Sequence, residues 1–178
     1  MNEPTLVKKC LKRDQRAQKE LFDKYSPKMM GVCLRYMKNK EQAEDALQDG
    51  FVKVFSKLNL YKGKGSLEGW VRRVLVNTCL DQIRKKVKLN MNVSMDEVEY
   101  MIEHNGYIIE GLSAKDLLEM VNSMPDGYRV VFNMFAIEGY SHKEIAKELG
   151  VSENTSKSQY LRARGYLRIK MEEQGIER

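Results

Sequence analysis

Residues 141–164 read SHKEIAKELGVSENTSKSQYLRAR, and they carry the strongest structural signals in the C-terminal part of the chain. Ser141, followed three residues later by Glu144, predicts a capping box at the start of a short helix. Gly150 stands where a helix ends in a left-handed residue, and Ser152 is suited to cap a second helix. Two capped helices joined by a tight turn are typical of a helix-turn-helix, which places its second helix in the major groove of DNA.

The second helix of this motif is basic. Residues 154–170 contain five basic residues and no acidic residue, which favours contact with phosphate. An ordinary helical hairpin with a solvated basic face would explain this charge, but not the Gly-Val-Ser turn between two capped amphipathic halves. We therefore interpret the segment as DNA-binding. Its predicted buried face consists of Ser156, Tyr160, Ala163 and Leu167, and its basic residues are Lys157, Arg162, Arg164, Arg168 and Lys170.

The composition is that of a globular protein. The chain has 178 residues, of which 42% are hydrophobic and 31% charged, enough for one core or two small ones. No apolar run approaches the roughly 18 residues that a membrane span needs, and the N-terminus lacks the apolar segment of a secretory signal. The three cysteines are widely spaced, which predicts reduced, buried thiols. We expect a cytoplasmic protein without membrane insertion.

The net charge of +6 is unevenly distributed. Residues 1–88 hold 21 of the 31 basic residues and 10 of the 25 acidic ones. The stretch 89–126 holds one lysine and eight acidic residues. The basic zones 1–88 and 154–170 are thus separated by an acidic stretch, and two separated basic surfaces predict two contacts with a polyanion. Solubility alone favours mixed rather than zoned charge.

Apolar periodicity predicts helices nearly throughout the chain, and no segment alternates with the period of two that a strand needs. Pro27 is expected to restart the chain, and Val87–Gly111 has no clean period, which is typical of a linker. We predict an all-α fold with two small helical domains joined by a flexible linker, the C-terminal one a helix-turn-helix. The predicted boundaries are 1–88 for the first domain, 89–111 for the linker and 112–178 for the second. The predicted helices run from Pro4 to Tyr25, from Met29 to Met37, from the cap Asn39 to Leu58, from the cap Ser66 to Ile83, from Ala114 to Met124 and from Gly127 to Glu138.

Catalytic patterns are missing from the sequence. The glycine-rich loop 61–65 lacks the spacing of a phosphate-binding loop, and His104 and His142 have no cysteine or aspartate at metal-ligand spacing. Asp45 and Asp49 lie four residues apart on one helix face, without a third ligand nearby in sequence. We interpret this pair as part of a docking surface, and we expect no enzymatic activity, no metal and no cofactor.

The predicted fourth helix and the loop before it combine basic and aromatic residues. Such a surface suits single-stranded DNA, because unstacked bases lie on aromatic rings while cations hold the phosphates. Trp70 is more readily explained as a core residue, since it falls in the apolar stripe of its helix. A protein that opens a promoter needs this surface as well as a duplex-binding helix, whereas a repressor needs only the latter. The candidate residues are Tyr61, Lys62, Lys64, Arg72, Arg73, Asn77 and Arg84.

Taken in order, these segments resemble the extracytoplasmic-function (ECF) sigma factors of bacterial RNA polymerase. YSPKMMGVCLRYM (25–37) is similar to the opening helix of the family's domain 2, and AEDALQDGFVKVFSKL (43–58) to the helix that binds the polymerase clamp. GSLEGWVRRVLVNTCLDQIRKK (65–86) resembles the helix that reads the minus-ten element. The stretch from Met124 to Ser152 resembles the first part of domain 4.

The resemblance implies core RNA polymerase, promoter DNA as duplex and as melted strand, and an anti-sigma factor as partners. It implies that polymerase is bound by Asp45, Gln48, Asp49 and Val52, and the minus-ten strand by the seven candidates of the fourth helix and its loop. It implies minus-thirty-five contacts from Ser152, Asn154, Lys157, Ser158, Gln159, Arg162 and Arg164. The recognition helix departs from the frequent T-V-K-S-R of the family, because Ser156 replaces the valine and Gln159 the arginine.

Two other classes of protein fit parts of the sequence. A free-standing helix-turn-helix regulator would bind duplex DNA alone, usually as a dimer, but no heptad seam or dimer helix is visible. An enzyme acting on DNA would need a nucleophile or converging metal carboxylates, and the sequence shows neither. The sigma-factor interpretation uses both basic zones and is the one we adopt.

Overall fold

The computed structural model describes residues 1–86 and 113–175. The chain divides into two compact units between Lys86 and Val87. Within the described ranges every regular element is helical, so the predicted all-α class is confirmed. The predicted linker, 89–111, lies outside the described residues.

The first unit is built on three long helices that pack on one another, with a short helix against the first of them. Its elements are α1 (Glu3–Leu11), α2 (Gln15–Tyr36), α3 (Lys40–Lys57) followed by a 3₁₀ turn (Leu58–Leu60), and α4 (Leu67–Lys86). The core includes Leu21, Met29, Val32, Val54, Leu67, Leu75 and Leu80, none more than 1% exposed. Asn39 and Ser66 accept backbone N–H groups from Gln42 and Gly69, so both predicted caps are confirmed.

The prediction of one helix from Pro4 to Tyr25 is wrong. The chain breaks after α1, where Arg13 adopts a left-handed φ of 60°. The side chain of Asp14 then accepts the N–H of Ala17 at 3.0 Å and starts α2. An N-cap aspartate stabilises a helix start by about 1 kcal/mol. The apolar spacing continues across the break, which is why periodicity alone did not detect it.

The prediction that Pro27 restarts the chain is also wrong, because α2 continues through it. A proline inside a helix costs about 3 kcal/mol, since it removes a hydrogen bond and crowds the preceding turn. Here Pro27 faces solvent, while Tyr25, Met29 and Val32 on the opposite side are at most 2% exposed. Each buried large apolar side chain contributes about 1.5–3 kcal/mol, so packing outweighs the proline.

Helices α3 and α4 approach closely at Gly50. A Cβ atom at this position would overlap the side chain of Leu75. Because Gly50 lies between Asp49 and Phe51, this contact also sets how the outer face of α3 stands beside α4.

The described residues of the second unit, 113–175, form helices that pack on the longest of them. Its elements are α5 (Ala114–Ser123), α6 (Asp126–Phe132) running into a π-helical turn (Asn133–Ile137), α7 (His142–Leu149) and α8 (Glu153–Glu173). Helix α8 packs against α5, α6 and α7. Val121, Met124 and Ala163 are buried together, with Leu117, Tyr128, Phe132, Tyr166 and Leu167 packed against them.

The predicted helix-turn-helix is confirmed in its local details. Ser141 and Glu144 form a reciprocal capping box at the start of α7. Gly150 ends that helix with a φ of 69°, a conformation that glycine adopts without the steric penalty of a Cβ atom. Ser152 caps α8 by accepting the N–H of Thr155 at 2.9 Å.

Candidate nucleic-acid interface

The predicted duplex-binding residues lie along the first half of α8. Ser152, Asn154, Lys157 and Arg164 are exposed, and Ser158 and Arg162 are partly buried. Gln159 is different, because only 2% of its surface is exposed. Its position falls between the buried Ser156 and Ala163 at helical spacing, so it belongs to the packed face and we correct its assignment as a DNA contact.

Several cations of α8 carry acidic partners. Lys157 pairs with Glu153 at 3.0 Å, and Lys170 with Glu173 at 2.6 Å. Glu153 and Glu173 lie just outside residues 154–170, the segment that contains no acidic residue. Exposed ion pairs of this kind contribute only about 0–1 kcal/mol, so a phosphate can replace the acid. The basic surface of α8 is therefore available to a polyanion.

His142 lies at the junction of α7 and α8, a position that sequence reasoning assigned no role. Its Nδ1 is 2.9 Å from the hydroxyl oxygen of Ser156, which is fully buried. Its ring stacks on Phe135, with centroids 4.2 Å apart and planes 12° from parallel. Burial, and then the nearby charge of Lys157, hold the pKa of His142 below its usual value. In the sequence, the only sign of this contact was the position of Ser156 on the predicted buried face of α8, where its hydroxyl needs a polar partner.

The predicted docking residues occupy one exposed side of α3. Asp45, Gln48, Asp49 and Val52 are all exposed, and Val52 retains 68% of its surface. Their spacing of three and four residues places them on one face. The buried Phe51, 3% exposed, anchors the helix from the opposite side. The outer face of α3 thus combines two carboxylates with an exposed apolar side chain.

Helix α4 contributes to this surface a residue that sequence reasoning missed. The side-chain amide of Gln82 donates to Asp49 Oδ2 at 3.0 Å. Gln82, Asp45, Gln48 and Asp49 line an open cleft of about 270 Å³. The only feature of the sequence that could have indicated this contact is the position of Gln82 on the polar side of its helix. The surface therefore spans two helices instead of one.

The loop between the 3₁₀ turn and α4 is closed by its own aromatic residue. The Tyr61 hydroxyl donates to the carbonyl of Gly65 at 2.8 Å, and the Tyr61 ring lies 5.8 Å from that of Trp70. Lys62 and Lys64 are exposed. Trp70 is only partly buried, so it is not the enclosed core residue that the apolar stripe predicted. The loop presents aromatic and cationic groups together.

Helix α4 carries the remaining minus-ten candidates. Arg73 and Arg84 are exposed, whereas Arg72 and Asn77 are partly buried. Asp81 accepts from Arg84 at 3.4 Å and from Lys53 of α3 at 3.1 Å. Asp81 thereby joins α3 to α4 and orients the arginine.

Within residues 1–86 and 113–175, no group of three or more histidine, cysteine, aspartate or glutamate side chains could hold a metal ion. None of the helices in these ranges is long and apolar enough to cross a membrane.

Comparison with known families identifies both units. The family described as Sigma-70 region 2 matches residues 21–88, and Sigma-70, region 4 matches residues 114–167. The chain belongs to the sigma-70 family. It is a sigma factor, a protein that directs transcription initiation, and members of this family are initiation factors rather than enzymes. The helix-turn-helix of α7 and α8 is part of region 4, and α3 and α4 are part of region 2.

This sigma factor is similar to ECF sigma factors over most of its length. It is 29% identical to the ECF RNA polymerase sigma factor SigE of Mycolicibacterium smegmatis over 154 residues, which cover 84% of this chain and 59% of SigE. It is 27% identical to SigW of Bacillus subtilis over 173 residues, which cover 91% of this chain and 92% of SigW.

A solved structure has the same fold. It is the sigma factor RpoE in complex with the anti-sigma factor NepR from Bartonella quintana, with a TM-score of 0.55 and 23% identity. The match covers 90% of this chain and 98% of RpoE. At this identity the likeness concerns the fold alone.

Proposed function

We propose that this sigma factor binds core RNA polymerase through the outer face of α3, melted minus-ten DNA through the loop and α4, and minus-thirty-five duplex through α8. The observation that carries the proposal is the presence, in one chain, of a docking surface and a base-stacking surface in region 2 and of a basic recognition helix in region 4. Each of these surfaces has a different chemistry, and initiation at a promoter uses all of them.

The outer face of α3 suits a protein partner. Val52 offers an exposed apolar group, and Asp45 and Asp49 flank it with negative charge. This arrangement is complementary to a partner that surrounds an apolar patch with basic side chains, and charge complementarity of this kind favours fast, specific association. DNA would be repelled by the same carboxylates, so we assign this face to core polymerase.

The loop and α4 suit a single strand. The Tyr61 and Trp70 rings offer surfaces on which unstacked bases lie, at about 1–3 kcal/mol per base. Lys62, Lys64 and Arg73 place exposed cations near these rings for the phosphates. A helix that reads duplex alone has no use for such rings, so we assign this surface to the melted minus-ten strand.

The first half of α8 suits the major groove. Asn154 and Lys157 are exposed at its N-terminal end, and Arg162 and Arg164 follow about two turns later. In a helix-turn-helix the N-terminal residues of the second helix contact base edges while basic residues contact phosphate. We assign this helix to the minus-thirty-five element.

An anti-sigma factor is part of the proposal. RpoE is bound to the anti-sigma factor NepR, and CnrH, which matches with a TM-score of 0.51, is bound to the cytosolic domain of CnrY. These complexes support the view that this chain is also restrained by a protein partner. We place the chain in the cytoplasm, because its proposed partners, core polymerase and promoter DNA, are found there.

The test is run-off transcription with purified chain, core polymerase free of other sigma factors, and genomic promoter fragments. We expect specific transcripts that depend on the chain. The double variant Asp45→Lys, Asp49→Lys should lose binding to core polymerase. Glu44→Lys should retain it, because Glu44 is exposed about 100° around the helix from Asp45. Specific duplex binding without any transcript would overturn the proposal in favour of a free-standing regulator.

A further inference from the structure

We propose that His142 is a positioning residue that holds the recognition helix α8 against α7 through Ser156 and thereby sets the affinity for the minus-thirty-five duplex. The inference rests on the proposed function of α8. His142 is not assigned a contact with DNA in this proposal; it acts through the orientation of the helix that makes the contacts.

The imidazole is fixed from three elements of the second unit. Its own helix, α7, begins with it, directly after the capping residue Ser141. Phe135 of the π-helical turn stacks on one face at 4.2 Å. Tyr160 of α8 lies 5.9 Å from it and 4.5 Å from Phe135. The ring therefore has a defined plane, and its Nδ1 is aimed at Ser156.

The hydrogen bond satisfies a hydroxyl that has no access to water. Ser156 is fully buried, and its oxygen lies 2.9 Å from Nδ1 of His142. Buried polar groups are nearly always paired, because an unpaired one forfeits its hydration without compensation. A valine at this position would pack without any directional bond. The serine makes the docking of α8 depend on His142.

The bond lies close to the proposed DNA contacts. Ser156 is adjacent to Lys157 and lies one turn from Ser152 in the same helix. Side chains extend to about 5–6 Å from the axis of a helix, so a rotation of α8 by ~10° would shift them by about 1 Å. Hydrogen bonds weaken over displacements of this size. Holding Ser156 in place thus holds the contact residues in register.

Three substitutions at position 142 distinguish a residue that positions α8 from one that contacts DNA directly. Asparagine carries a polar atom near the place of Nδ1, so His142→Asn can keep the bond to Ser156. Glutamine places its amide farther along the side chain, near the place of Nε2, and His142→Gln cannot make the same bond. Alanine removes both the bond and the ring. These three variants form a matched series at one position.

The experiment measures duplex affinity of holoenzyme, formed with core polymerase, for a promoter fragment at several salt concentrations. Thermal melts fix a temperature at which every variant is folded. We expect His142→Ala and His142→Gln to weaken binding about three- to tenfold, the effect of losing one hydrogen bond. His142→Asn should retain most of the affinity. Because these substitutions leave the set of cations that can neutralise phosphates unchanged, the salt slope should stay that of the wild type.

A double-mutant cycle tests the partner. Once His142 is alanine, Ser156→Ala should cost little more, because the two residues act as one unit. The ¹⁵N chemical shift of His142 Nδ1 should change in the Ser156→Ala variant. Because the chain has two histidines, the imidazole signals that remain in His104→Gln are those of His142. Affinity for core polymerase should not change in any of these variants.

Three outcomes would overturn the proposal. Equal duplex affinity of His142→Ala and wild type would remove the positioning role. A salt slope lowered by about one in His142→Ala would make the ring a phosphate ligand instead. A wild-type holoenzyme that initiates equally well without the minus-thirty-five duplex would remove the proposed function of α8, and with it this inference, whereas the first two outcomes leave that function intact.

Discussion

The side-chain amide of Gln82 donates a hydrogen bond to Asp49 across 3.0 Å, and so joins α4 to the outer face of α3. Asp49 is thereby held in one orientation by a residue 33 positions away in sequence. The proposed polymerase-binding surface is accordingly a property of the packed pair of helices. Changes in α4 that leave its DNA-facing residues intact should still affect polymerase binding.

Gln82→Met is the substitution that tests this dependence. Methionine keeps the length of the side chain and removes the amide, so Asp49 loses its orienting bond. We expect affinity for core polymerase to fall about threefold, which corresponds to roughly 0.7 kcal/mol for a solvent-exposed bond. Competition binding with labelled core polymerase measures the change, and Glu44→Gln, about 140° around α3 from Asp49, is the control. An affinity equal to that of the wild type would show that Asp49 does not need Gln82.

Arg162→Ala should weaken promoter binding uniformly across sequences. If this arginine contacts phosphate, its loss lowers the slope of log affinity against log salt by about one counterion. The measurement is a salt titration of holoenzyme binding to promoter duplex. Lys170→Ala is the matched control, because Lys170 lies about two turns farther along α8, in the second half of the helix, which is not assigned to the duplex. A slope that does not change in Arg162→Ala would contradict the assignment of this residue to phosphate.

The stability of the second unit should depend on pH through His142. In the folded state, burial and then the charge of Lys157 lower the pKa of this histidine below its ordinary value of 6.5, while Glu153 opposes the shift. Below pH 6.5 the unfolded chain therefore binds more protons, and stability falls as the pH decreases through the lowered folded value. Above pH 6.5 the neutral ring imposes no penalty.

Thermal melts between pH 5 and 8, compared with those of His142→Asn, measure this contribution. The melting temperature of the wild type should fall more steeply on the acid side than that of the variant. His104→Asn, which changes the other histidine, should behave as the wild type does. Parallel curves for wild type and His142→Asn would mean that protonation of His142 does not affect stability.

Local signals in the sequence were sufficient for some of the fold. Ser141, Gly150 and Ser152 act within one turn of their own helix, so the start and end of α7 and the start of α8 were predictable from neighbours in sequence. The path of α2 through Pro27 was not, because it depends on how much apolar surface α3 and α4 cover.

The same distinction applies to the candidate site. The exposure of Asp45, Asp49 and Val52 follows from the spacing of one amphipathic helix. The burial of Gln159 does not, because it depends on which helices pack around α8 and at what angle. Likewise the partner of Ser156 could not be named before α7 and α8 were placed together.

Gly50→Ala should destabilise the first unit, because its new methyl group would overlap Leu75. Overpacking at such a contact costs about 1–3 kcal/mol, because either the Leu75 side chain must leave its packed position or helices α3 and α4 must separate. Urea denaturation measures the change in the free energy of unfolding.

Gly31→Ala is the matched control. No other element lies within 4 Å of the position that its Cβ would take, so alanine should stabilise α2 by about 0.5–1 kcal/mol. Adding Leu75→Ala to Gly50→Ala should cost less than Leu75→Ala alone, since the smaller side chain makes room for the methyl group. Simple additivity of the two changes would show that the close approach at Gly50 does not limit the packing of α3 on α4.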